Sequence, residues 1–160
     1  MKVFIVFMGL LFINVSFLSY QGDLGRYVRC QAFLKATAEE CAAGAALYYD
    51  EAAYADGRFR FKYEEGREFI EHLLEEAKQE MPLPRDSVIA YEVSFRDDYL
   101  GYGADESEDG AAGEGGEPAA ENIPSVTVKL TAVTGDLFRL PFLEVTEIQR
   151  AAKYEQIGRA

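Results

Sequence analysis

The chain begins with an uninterrupted apolar run, and this run constrains the fold more than any other feature. Residues 3–18 are almost entirely aliphatic or aromatic, and Lys2 is the only charged residue before Asp23. No proline occurs before residue 82, so nothing in the sequence forces a helix to break earlier. We therefore predict one continuous helix from residue 3 to about residue 55, where Ala55-Asp56-Gly57 ends it.

The first part of this helix is predicted to be a membrane anchor over residues 1–22. Its apolar run is short for a membrane span of about 20 residues and long for the apolar region of a signal peptide. A cleaved signal sequence and a buried hairpin helix therefore stay open as alternatives. The single Lys2 favours a cytoplasmic N-terminus with the rest of the chain outside. The predicted anchor residues are Val3, Phe4, Ile5, Val6, Phe7, Leu10, Leu11, Phe12, Ile13, Val15, Phe17 and Leu18.

A seam of residues at alternating spacings of four and three follows the anchor. Such spacing is typical of a helix face that packs on another helix or on a sheet. The small residues at 42–46 would let another backbone approach closely. Two compatible interpretations follow: the helix covers the core of its own domain, or it packs on the helices of partner subunits. The predicted helix-packing seam comprises Leu24, Tyr27, Gln31, Leu34, Ala38, Cys41, Ala45 and Tyr48, with Tyr20 and Ala52 at its ends.

The two cysteines, Cys30 and Cys41, lie on nearly the same face of this helix. Eleven residues of rise separate them by about 16 Å. A disulfide needs Cα atoms within about 7 Å, so they cannot pair with each other in an intact helix. We predict two small apolar core residues, and a disulfide between chains remains the alternative.

The remaining sequence predicts a second helix and a small antiparallel sheet. Residues 64–80 place Phe69, Ile70, Leu73, Leu74 and Ala77 on one helical face, and Pro82 follows. Residues 87–96 and 126–132 alternate apolar and polar side chains, as a half-buried strand does. Residues 144–154 fit either a third strand or a terminal helix. Residues 137–143 form an apolar connector that we expect to pack on the core or the membrane surface.

These elements predict an α+β fold, with a long anchored helix packed on about three strands and a second helix in a domain over residues 23–160. Within it, residues 58–63 alternate basic and aromatic side chains and are predicted to be a solvated edge.

An acidic loop is predicted at residues 97–121. It holds nine acidic residues and no Lys or Arg, so of the formal charge −12 only −3 belongs to the rest of the chain. This composition favours disorder. A calcium loop begins similarly at Asp105, but Gly116 stands where that loop needs a bidentate glutamate, so cation binding by this loop remains an open question. No basic cluster exists for nucleic acid.

No catalytic motif stands out in the sequence. His72 is the only histidine, and no Ser, Cys or Asp accompanies it at a recognisable motif spacing. We predict no enzymatic activity, no metal site and no cofactor.

The chain resembles the TadE/TadG-like minor pilins (pseudopilins) of tight-adherence pilus systems. The resemblance is carried by the residues 23–27, then Gln31 and the alanine-rich run up to Ala46, all directly after an apolar helix, and by residues 138–143 and 148–154 near the C-terminus. It covers the first 55 residues and about the last 25. It implies a pilin-like fold and an accessory subunit that builds or stabilises an adhesive pilus.

The function predicted from these observations is that of a single-pass, extracytoplasmic pilin-like subunit. It would act by packing its N-terminal helix on partner subunits in the bilayer. The alternative is an anchored or secreted binding module whose sheet and acidic loop form the ligand surface, with calcium as a possible requirement. No small-molecule substrate is indicated.

Overall fold

A computed structural model describes residues 2–84, 87–102, 123–135, 137–138 and 145–156 of the chain. It contains a long helix followed by two further helices and three strands. The α+β fold with a long N-terminal helix, a second main helix and a three-stranded antiparallel sheet is confirmed. The elements are α1 (Lys2–Ala45), α2 (Glu51–Ala55), α3 (Tyr63–Glu80), β1 (Val88–Arg96), β2 (Ser125–Val133) and β3 (Glu147–Glu155).

The long helix ends at Ala45, so the predicted continuation to residue 55 is wrong. The amides of residues 46–48 still donate to carbonyls of α1, but from Tyr48 O onward the backbone pairs with a neighbouring segment. Lys62 N donates to Tyr48 O at 2.8 Å, and Asp50 N donates to Arg60 O at 2.9 Å. The Asp50 carboxylate then accepts hydrogen bonds from the first free amides of α2, which starts a separate short helix. Long-range pairing and a strong N-cap thus outweigh local helix propensity.

The turn at Gly57 ends this short helix. Gly57 has φ of +78°, a left-handed conformation that glycine adopts without steric cost, and its N–H donates to Tyr54 O at 3.0 Å. The predicted stop signal Ala55-Asp56-Gly57 therefore works, but it ends α2 and not α1.

The three strands form a sheet in the order β1-β2-β3 with antiparallel neighbours. Of the residues 144–154, which fit either a strand or a helix by sequence, the structure makes those from Glu147 onward a strand, because β3 pairs along the whole of β2. The register brings apolar residues of all three strands together on one face, as in Ile89–Ala132–Ile148 and Val93–Val128–Ala152. This face is the core side of the sheet.

Helices α1 and α3 cover this face together. α1 lies over β2 and β3, and α3 packs beside α1 in the opposite direction. The predicted apolar face of the second helix is confirmed in its centre, where Ile70 and Leu74 are buried. The distal end of α1 packs on the beginning of α3, and Cys30, lower on α1, contacts Pro82 just after α3.

The small residues at 42–46 permit a close approach, but the neighbour is α3 of the same chain. A Cβ atom on Gly44 would overlap the edge of the Phe69 ring, and one on Gly66 would meet the Phe95 ring at 3.2 Å. The glycines therefore allow the two helices and the sheet to close on one another.

We expect Gly44→Ala to lower the free energy of unfolding by about 1–3 kcal/mol, because Phe69 has to move out of a packed position. Gly25→Ala, on the same helix with nothing within 4 Å of its Cβ position, is the matched control. It should raise stability by about 0.5–1 kcal/mol through helix propensity. Urea unfolding of both variants checks this. Equal stability of the two variants would contradict the packing described.

Candidate functional site

The apolar half of α1, by which we mean residues 3–18, is a surface that the rest of the described chain leaves uncovered. Within the described residues it belongs to the one helix that is long and apolar enough to cross a membrane, and none of its most apolar window is buried. Every predicted anchor residue from Val3 to Leu18 is exposed. Soluble monomers rarely expose so large a contiguous apolar surface. The segment therefore fits a membrane or signal helix, and the alternative of a buried hairpin helix is wrong.

Asn14, a polar residue within this apolar surface, has a hydrogen-bond partner in its own helix. Asn14 Nδ2 donates to Leu10 O, one turn earlier, at 3.0 Å. In hydrocarbon a polar group needs such a partner, because no water is present to supply one. Asn14 is thus compatible with a lipid environment.

Aromatic rings mark the point where α1 meets its own domain. The ring of Phe138 lies 6.1 Å from that of Tyr20 and 6.0 Å from that of Tyr27, centroid to centroid. Leu137 and Phe138, the described members of the apolar connector, are buried there against the core. Residues 139–143 lie outside the described residues. Tyrosine is the residue type that proteins place where apolar and aqueous surroundings meet.

The predicted seam divides into a covered and an uncovered part. Leu34, Ala38, Cys41 and Ala45 are fully buried beneath the sheet and α3, and Tyr27 and Gln31 are half-buried. Leu24 and Tyr48 are 39 % and 38 % exposed and flank the covered part. Of the two interpretations, the helix covering its own core accounts for residues 34–45. Of the predicted seam residues from 24 to 48, Leu24 and Tyr48 are the exposed ones left for contact with a partner.

Both cysteines lie in the core, as predicted. Cys30 and Cys41 are free and fully buried, and Cys30 Sγ donates to Pro82 O at 3.3 Å. Burial raises the pKa of the Cys41 thiol to about 12, so this thiol stays protonated and unreactive at neutral pH. A disulfide between chains would require the domain to open.

Asp97, directly after β1, connects the end of this strand to the segment before α3 through hydrogen bonds. Its buried carboxylate accepts four hydrogen bonds. Oδ2 accepts from Phe61 N at 3.0 Å and from the Tyr63 hydroxyl at 2.6 Å, and Oδ1 accepts from the backbone of the next turn, Tyr99 N and Leu100 N, at 3.0 and 2.8 Å. We call this arrangement the Asp97 clasp.

Asp98 extends the clasp. Its Oδ2 accepts from Phe59 N at 2.7 Å and its Oδ1 from the Tyr102 hydroxyl at 2.8 Å. The predicted solvated edge at residues 58–63 is therefore wrong for its aromatic members: Phe59 and Phe61 are buried in a ring cluster, and only the basic side chains between them are exposed.

The predicted acidic loop is also corrected at its start. Residues 97–102 form an ordered turn, because the carboxylates of Asp97 and Asp98 accept hydrogen bonds from backbone N–H groups. Residues 103–121, including the resemblance to a calcium loop at Asp105, lie outside the described residues. Charge counting missed the clasp; two consecutive aspartates directly after a predicted strand were the available signal, since such side chains often bond the backbone of the following turn.

The clasp makes one titration unusual. Burial and, after it, the hydrogen bond to Asp97 raise the pKa of Tyr63 to about 12, against about 10 in an unfolded chain. The stabilisation from the protonated phenol is therefore complete below about pH 10 and is lost as the pH rises through about 12.

We expect the tyrosinate absorbance titration of the native protein to contain a component near pH 12 that Tyr63→Phe removes. Tyr54→Phe, at a half-exposed ring in the same aromatic cluster, should leave this component in place. A titration unchanged by Tyr63→Phe would contradict the clasp.

Among the described residues, no group of three or more His, Cys, Asp or Glu side chains could hold a metal ion, and His72 is exposed on α3. No protein-family model, no curated protein and no solved structure matches the chain. We therefore infer the function from the exposed apolar half of α1 and from the part of the predicted seam that the domain buries.

Proposed function

We propose that this chain is a single-pass membrane subunit of pilin-like type. Its N-terminus is cytoplasmic and its domain is extracytoplasmic. It assists the assembly or stabilisation of an adhesive pilus or a secretion-type complex. The observation that carries the proposal is the apolar half of α1, which is exposed along its whole length and continues as one helix into the folded domain.

The mechanism we propose is lateral packing of this exposed half on the helices of partner subunits. The domain itself covers Leu34, Ala38, Cys41 and Ala45 of the seam, so the partner surface within the bilayer comprises residues 3–18, and Leu24 and Val28, which are both exposed, continue it. In lipid, helices associate through close packing and small residues. Gly9, Gly22 and Gly25 have nothing within 4 Å of their Cβ positions and leave room for a neighbouring backbone.

Site-directed cross-linking along α1 in native membranes tests this packing. A photoreactive residue at position 7, 11 or 24 should cross-link to another membrane protein, whereas one at position 38 should cross-link only within the chain, because Ala38 is buried in the domain. The proposal fails if positions 7, 11 and 24 give no cross-links to protein while the chain is in the membrane.

A second function is an anchored binding module. It is favoured by the Asp97 clasp, which orders residues 97–102, the segment directly before the acidic residues 103–121 in sequence. Protection of this segment from protease by calcium would support that function. Equal cleavage with and without calcium would count against it.

A further inference from the structure

A groove runs between α1 and α3 on the outside of the domain. Its volume is about 460 Å³. Half-buried apolar side chains form its floor, and exposed carboxylates form its rim. The floor consists of Phe33, Leu73 and Ala77, and the rim carries Glu40, Glu76 and Glu80.

The chemistry of the groove selects for a cation. No Lys, Arg or His of the described part of the chain lines it. The Thr37 hydroxyl already donates to Phe33 O at 3.0 Å. The rim carboxylate groups supply oxygen atoms that accept hydrogen bonds. A ligand that fits must bring donors and positive charge at its tip and an apolar stem behind it.

Arginine and lysine side chains have this shape, since their aliphatic stems lie on apolar surface while their charged heads reach polar groups. The volume of the groove is in the range of ligand pockets, about 300–1,000 Å³. It is too small to enclose several turns of a helix of about 10–12 Å diameter. It therefore admits side chains from a segment that lies across it.

We propose that the groove binds Arg or Lys side chains of a basic segment in a partner subunit. This inference rests on the proposed function, in which a partner helix packs on the apolar half of α1. Phe33 lies 15 residues beyond Leu18, so the groove begins about 22 Å further along α1. Val15 is exposed and lies 18 residues, or five full turns, before Phe33, so both are on one face of α1, and a partner helix that follows this face out of the bilayer reaches the groove after about four more turns.

Binding of a labelled peptide to the full chain in phosphatidylcholine nanodiscs tests the inference. The probe is an amphipathic Arg/Leu peptide of about 14 residues, and the same peptide with Glu in place of Arg is its control. The neutral lipid removes the electrostatic attraction of the probe to the bilayer, and nanodiscs without the protein give the binding to lipid that has to be subtracted. We expect saturable binding of the Arg peptide, weakened by salt, and no binding of the Glu peptide.

A matched pair of variants separates the groove from the general negative charge. Glu76→Gln with Glu80→Gln removes two rim carboxylates, whereas Glu68→Gln with Glu75→Gln removes two exposed carboxylates of the same helix outside the groove. We expect the first pair to raise the Kd at least tenfold and the second to change it less than twofold. Equal weakening by both pairs, or no saturable binding, would overturn the inference.

A third variant blocks the groove without changing charge. Ala77→Phe should weaken binding as much as the loss of the rim carboxylates, and binding that survives it would place the peptide elsewhere. Failure of these tests leaves the proposed function standing if the cross-links from positions 7, 11 and 24 are found. Loss of those cross-links with peptide binding intact would instead remove the membrane partner.

Discussion

Leu34→Asp is expected to unfold the domain that follows the apolar segment, although Leu34 belongs to the seam that the sequence predicts as a partner interface. Leu34 is fully buried in the core. The substitution removes a packed side chain, which costs about 2–5 kcal/mol, and adds a carboxylate with no partner in an apolar site. Since a domain of this size has about 5–15 kcal/mol of stability, most of it is lost.

Leu24→Asp is the matched control, because it makes the same substitution at another residue of the predicted seam on the same helix. Leu24 is 39 % exposed, so the free energy of unfolding should change by only about 0.5 kcal/mol. Circular dichroism and urea unfolding of both variants in detergent measure the difference. Similar loss of stability in the two variants, or a folded Leu34→Asp domain, would contradict the division of the seam. If the proposed function holds, Leu24→Asp also reduces the cross-links to partners.

Asp97→Ala is expected to lower the free energy of unfolding by about 3–5 kcal/mol, because it leaves donors from two separate segments without an acceptor. The most costly of these is Phe61 N, whose hydrogen bond to Asp97 is buried. With the acceptor gone, the extended segment before α3 separates from the end of β1. The ring cluster of Phe59, Phe61 and Phe95 then loses its alignment.

Asp98→Ala tests whether this effect is specific to the buried carboxylate. Asp98 is exposed and its bond to Phe59 N is only partly buried, so its loss should cost about 1 kcal/mol. Urea unfolding of both variants and the near-ultraviolet signal of the aromatic cluster give the comparison. Equal, small decreases in the free energy of unfolding would contradict the structural role of the Asp97 carboxylate.

Periodicity predicted the parts of this fold that depend on a single buried face. The alternation in β1 and β2 and the spacing of Ile70 and Leu74 on α3 identify the residues that the core contains. The spacing of Leu34, Ala38 and Cys41 identified a buried stripe on α1 equally well. It could not say whether the cover is a partner or the same chain, because both present an apolar surface to the helix.

The errors occur where residues distant in sequence compete with local preference. Residues 46–50 have helix-compatible side chains, yet Tyr48 and Asp50 pair with residues 60–62 and Asp50 starts a new helix. Asp97 counted as one of nine acidic residues, yet its partners Phe61 and Tyr63 lie far from it in sequence. A local pattern carries no information about such pairs.

The most direct test of the account is the state of the N-terminus in a membrane fraction. Carbonate extraction followed by identification of the first residue decides whether the apolar half of α1 stays attached and inserted. We predict a chain that resists extraction and begins at Met1 or Lys2. A soluble chain that begins near Gly22 would contradict membrane anchoring, and with it the pilin-like function.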